Sequence, residues 1–158
     1  MLAFIQIAIL TGFGCIAYQD IKDKEVSVIL FFLVAISTGI YHYNQSPLEV
    51  FGIHLLMNIS LVSIVLLVLY TYIRLRQNHI FFNVFGSGDM AMFYALCFSF
   101  ATVSFIVSFV SSICFSLVLS VMAYERTAEI PLAGHMAIFF LCVTLANWVG
   151  IIDNVYLI

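Results

Sequence analysis

Long apolar runs broken by short polar connections dominate this chain, and they occupy residues 1–18, 26–43, 50–73, 90–101, 103–123 and 135–152. Crossing a hydrocarbon core takes about 20 apolar helical residues. The other spanning design, a closed barrel, needs period-two alternation that these unbroken runs lack. Six membrane helices are therefore predicted. Residues 90–123 are divided in two because a single helix of that length would rise about 51 Å and overshoot the bilayer. The first of the pair is short.

Composition agrees: of 158 residues, 65% are hydrophobic and 8% charged, with a mean hydropathy of +1.19, so lipid is the main solvent. The first 19 residues have no basic segment before the apolar run and no small-x-small cleavage pattern, and they are predicted to be a retained helix rather than a secretory signal. Basic residues collect on the cytoplasmic side of membrane proteins. Lys22 and Lys24 lie in the first connection, Arg74 and Arg76 in the third and Arg126 in the fifth, while the second connection, the tight fourth and the C-terminus hold none. The fold expected is all-α and polytopic, one transmembrane domain over 1–158 with both termini on the non-cytoplasmic side. Tyr18, Tyr70, Tyr72 and Tyr124 would ring the inner interface, and Tyr41, Tyr43, Trp148 and Tyr156 the outer. The net charge of −3 and the lack of a basic cluster give no sign of a nucleic-acid partner. Four single cysteines without a CxxC pair give no metal or redox motif.

Few charges remain for chemistry, and the topology brings two carboxylates to one face. Asp20 closes the first helix on the cytoplasmic side, and Asp89 opens the fourth helix on the same side, directly after Phe85-Gly86-Ser87-Gly88. Two carboxylates a few Å apart share one proton, so one can act as base on a bound water and the other as acid, with no metal or cofactor. Gly86 and Gly88, lacking Cβ, would allow unusual dihedrals and let a substrate backbone approach Asp89 closely.

Gly86-Ser87-Gly88-Asp89 at the head of a membrane helix resembles the GxGD motif of the type IV prepilin peptidase family. Asp20-Ile-Lys-Asp-Lys-Glu-Val26-Ser27 is similar to that family's first aspartate, basic pair and helix restart, and Ile130-Pro131-Leu-Ala-Gly134-His135 is similar to the entry into its last helix. The likeness covers the whole chain at the level of helix order. It implies an aspartic endopeptidase of the cytoplasmic (inner) membrane that removes a short basic leader from prepilin-like substrates. It implies Asp20 and Asp89 as the catalytic pair, with Gly86 and Gly88 supporting the backbone. The sequence departs from the pattern at Ser27, where Pro is usual, at Ala91, where Lys is common, and in the shortness of 90–101. Longer members carry an N-terminal extension with paired CxxC motifs associated with N-methylation; cleavage without methylation is expected here.

Plainer roles stand beside these. An Asp before an apolar run is a favoured helix N-cap, which suits Asp89, and Asp23 would replace Asp20 as the partner if the first helix ended later. His54 and Asn58 share a helix face, a spacing that fits a polar pathway or a metal pair but more commonly means bonds to neighbouring helices; Asn147 falls in the same class. His135 reads as a helix-start residue. Asp23, Glu25, Glu125 and Glu129 read as solvated loop charges that would also attract a basic leader. The competing functions are a presenilin-like protease cutting within a membrane span and a non-catalytic scaffold of a pilus or secretion assembly. A transporter is disfavoured by the lack of repeats.

Overall fold

A computed structural model of the chain describes residues 2–77, 86–122, 131–152 and 155–156. Six helices make up the architecture there: α1 (Leu2–Asp23), α2 (Val28–Gln45), α3 (Leu48–Gln77), α4 (Ser87–Leu96), α5 (Thr102–Met122) and α6 (Leu132–Trp148). No strand occurs among the described residues. Helices α1, α2, α3 and α5 are long and apolar enough to cross a membrane, and α6 is a shorter apolar helix of 17 residues. The fold is that of an all-helical, multi-pass membrane protein. Its outward faces fit that solvent: Phe4 is 83% exposed and Ile29 74%, apolar surface that lipid covers without cost. Arg126, Glu125, Glu129 and Tyr124 lie outside the described residues.

Helix α1 is the centre of the bundle, packed against α2 on one side and α6 on the other; α6 also packs on α5, and α4 on α2. Phe13 and Ile16 of α1, Val34 of α2, Met92 and Leu96 of α4, Phe105 of α5 and Met136 and Phe140 of α6 are all fully buried. Aromatic contacts tie the layers, with Phe100 stacked on Phe140 at 5.7 Å and Phe93 meeting Phe109 edge-on at 4.8 Å. Gly12 lets α1 and α2 approach, since a Cβ there would stand 2.7 Å from Val34 Cγ2.

The expected division of residues 90–123 is present, and its cause is tertiary. After Leu96 the chain makes a tight turn, closed by bonds from the Cys97, Phe98 and Ser99 amides to the carbonyls three residues earlier, before α5 starts at Thr102. No Pro or Gly interrupts Cys97–Ala101. Instead Asn58, wholly buried on α3, donates from Nδ2 to the carbonyls of Cys97 and Phe100, both at 3.0 Å. Carbonyls released by the break thereby keep partners where no water is at hand. Asn58 thus makes the interhelical bonds expected of it. Asn147 does not: its amide donates to the Ile152 carbonyl at 2.8 Å, closing its own chain end.

At the same end of the bundle the expected aromatic ring is partly turned inward. Tyr41 lies 5.7 Å from Trp148 and 5.4 Å from Tyr156, and both tyrosines are buried. The Ser46 hydroxyl donates to the Tyr156 carbonyl and the Ala101 amide to that of Val155, so residues 155–156 pack against the α4–α5 turn.

Candidate active site

The opposite end is organised by the head of α6. A helix leaves its first amide donors without intrahelical acceptors, and the residue at the N-cap of α6, Pro131, supplies neither a capping side chain nor an N–H. Acceptors arrive from two other helices. Asp20 Oδ2 of α1 accepts the Gly134 amide at 2.5 Å, and Asp89 Oδ1 of α4 accepts the Ala133 amide at 3.1 Å. These donors belong to consecutive residues, about 3.8 Å apart along a trans chain, which holds the two accepting oxygens within about 9 Å of each other. The positive end of the α6 dipole favours negative charge at this point.

Helix α1 runs one turn further than the sequence suggested, to Asp23, and the Asp20 carbonyl accepts the Lys24 amide at 3.1 Å. The longer helix does not promote Asp23. Asp20 points inward and is 8% exposed, whereas Asp23 is exposed. Gly134 makes the approach feasible: a Cβ there would stand 3.0 Å from Asp20 Cβ and 3.4 Å from the Ala17 carbonyl oxygen.

Asp89 is not the N-cap of its own helix. That position is Gly86, and Asp89 is the third residue of α4, with its carboxylate reaching across to α6. A cap it is, but of another helix. It lies outside the four candidate spanning helices, and burial first, then the charge of Asp20, raise its carboxyl to about 6, against the lowering effect of the Ala133 amide. The charge of Asp20 thus acts on Asp89, which ties the two carboxylates electrostatically.

The glycines of the motif work differently from expectation. Among the described residues only Gly150 has a glycine φ in the left-handed region, and Gly86 is extended at φ −63°. Room is the requirement at Gly86, since a Cβ would stand 3.2 Å from Asp89 Oδ2. At Gly88 a Cβ would make only ordinary contact with Phe31. Ser27, where the resembled pattern has Pro, adopts φ −62°, within the range a proline ring imposes. Its amide donates to Gln19 Oε1 at 3.0 Å, a bond that Pro would forfeit.

Nothing in the sequence marks the Ala133 and Gly134 amides as donors to these carboxylates, although they fall within the Ile130-to-His135 stretch that carries part of the resemblance. His135 sits in the first turn of α6, with Nδ1 3.0 Å from Ser116 Oγ of α5, and it and Lys24 lie within electrostatic reach of Asp20. No family model matches this chain, and no curated protein or solved structure matches it either.

Proposed function

We propose that this protein is a membrane aspartic endopeptidase that removes a short basic leader from prepilin-like substrates at the cytoplasmic face of the cell's cytoplasmic membrane. The observation that carries the reading is the convergence of Asp20 and Asp89, 69 residues apart in sequence, on consecutive amides of α6. Their second oxygens, Asp20 Oδ1 and Asp89 Oδ2, take no part in those two bonds. In the proposed reaction the pair holds one proton. The ionised carboxylate takes a proton from a water as its oxygen attacks the peptide carbonyl, and the protonated one bonds the carbonyl oxygen. The leaving nitrogen then receives a proton as the C–N bond breaks. The placement of Lys22, Lys24, Arg74, Arg76 and Arg126 supports a cytoplasmic site. Asp20 and Asp89 stand near helix ends, which favours cleavage at the interface over presenilin-like cleavage within a span.

A scaffold without catalysis is the second reading, and one observation favours it: each carboxylate already caps α6, a purely structural use that ties α1, α4 and α6 together. Cleavage of a basic-leader prepilin in membranes by wild type, Asp20→Asn, Asp89→Asn and Asp23→Asn separates the two. Processing by wild type and Asp23→Asn, and by neither of the other two, is the expected pattern. Intact substrate with wild-type protein that is folded and binds it would leave the scaffold.

A further inference from the structure

Six buried side-chain atoms lack a hydrogen-bond partner among the described residues: His42 Nε2, His54 Nδ1, Asn58 Oδ1, Ser99 Oγ, Thr102 Oγ1 and Trp148 Nε1. All six belong to the end of the bundle remote from the aspartates, around the Cys97–Ala101 turn and the end of α6. Buried polar atoms without partners are rare in folded proteins and call for an explanation. Three of these six are lone-pair donors on α2 and α3.

His42 is 1% exposed, and its Nδ1 lies 3.4 Å from the Phe98 carbonyl oxygen. A carbonyl can only accept, so Nδ1 carries the proton and Nε2 presents its lone pair. That is the arrangement of a metal-binding histidine, whose far N–H is held by a backbone carbonyl. The His54 ring lies 5.8 Å away with its plane within 29° of the first. Two imidazoles ligating one ion at about 2.0–2.1 Å have ring centres no more than about 6.5 Å apart, so the observed spacing is inside the limit. Asn58 follows His54 by one turn on the same face. Its Nδ2 is committed to Cys97 and Phe100, which orients Oδ1 and leaves it without a partner.

We propose that His42 and His54, with Asn58 Oδ1 beside them, form a binding site for a cuprous ion at the end of the bundle opposite the aspartates. The charge of the donor set selects the ion. No third His, Cys, Asp or Glu joins the pair among the described residues, so every ligand is neutral. In a low-dielectric interior, neutral donors compensate one positive charge far better than two. Copper accepts imidazole ligation, and two nitrogens suffice for a low-coordinate monovalent ion. His54 is only half-buried, which gives the ion a way in. The site does not depend on the peptidase reading.

The test uses the full chain in detergent or lipid nanodiscs, under anaerobic reducing conditions, with Cu⁺ competed against a colorimetric cuprous chelator. One Cu⁺ per chain is expected, with affinity reduced at least tenfold by His42→Phe and by His54→Phe and unchanged by Asp20→Asn. Phenylalanine keeps an aromatic ring against Phe51, which meets His42 edge-on at 5.1 Å, and circular dichroism checks the fold. X-ray absorption at the copper edge of the wild-type complex needs no variant and should show imidazole ligation. Absence of stoichiometric Cu⁺ binding, binding undiminished in folded His variants, a sulfur shell around the copper, or preferential uptake of Zn²⁺ would each overturn the proposal.

Discussion

Gly134→Ala tests whether the close approach of α1 and α6 positions Asp20. The added methyl group would stand 3.0 Å from Asp20 Cβ, 3.1 Å from Asp20 Oδ2 and 3.4 Å from the Ala17 carbonyl oxygen. Asp20 Cβ and the Ala17 carbonyl are fixed to the α1 backbone, so the helices themselves must part by several tenths of an ångström. Overpacking of this kind costs about 1–3 kcal/mol. Weakening the charge-assisted bond from the Gly134 amide removes part of a contribution of about 1.5–3 kcal/mol, and the better helix propensity of Ala returns about 1 kcal/mol. The net expectation is a loss of about 1–4 kcal/mol, read as a lower melting temperature in detergent. Since misplacing a reacting group by about 1 Å can cost about 100-fold, cleavage in membranes should fall roughly 10- to 100-fold. Wild-type stability and wild-type cleavage in Gly134→Ala would refute the claim that this contact sets the position of Asp20.

Three further outcomes are expected. Asp89 titrates at about 6 in the fold against 3.8 for an unperturbed Asp; its neutral form is the one the fold favours, so stability should fall as pH rises from about 4 to 6 and level off above, and cleavage should decline above pH 6. In Asp20→Asn the loss of that neighbouring charge should move the stability transition to lower pH, as thermal melts across pH would show. Asn58→Leu leaves the Cys97 and Phe100 carbonyls without their donor; unfolding titrations should show a loss of about 1–3 kcal/mol, and wild-type stability would mean that other groups hold the turn. Gly12→Ala should destabilise through Val34, while Gly14→Ala, whose Cβ meets nothing within 4 Å, should be neutral or gain up to about 1 kcal/mol; paired melts compare them.

Helix number and extent were legible because the apolar runs are long and the bilayer length is a physical constant. The runs ending at Tyr18 and Tyr43 continue as helix to Asp23 and Gln45, since a helix does not stop where its residues become polar. Both aspartates were also legible as candidates, being rare carboxylates at matching helix ends. Their acceptor roles were not. Asp89 looks locally like the cap of its own helix, and only the arrival of Ala133 shows which helix it caps.

What the sequence determined alone was therefore the class of solvent, the all-helical architecture, the division near residue 101 and the two carboxylates available for chemistry, because each depends on local composition and periodicity. Tertiary structure decided which atoms meet. Gly134 has no local signature of a donor to Asp20, 114 residues away, and Asn58 none of a clasp for the Cys97 and Phe100 carbonyls. Such pairings arise because backbone groups freed at helix ends and breaks must find partners within the apolar bundle. Which partner answers depends on helices that are neighbours in space and distant in sequence.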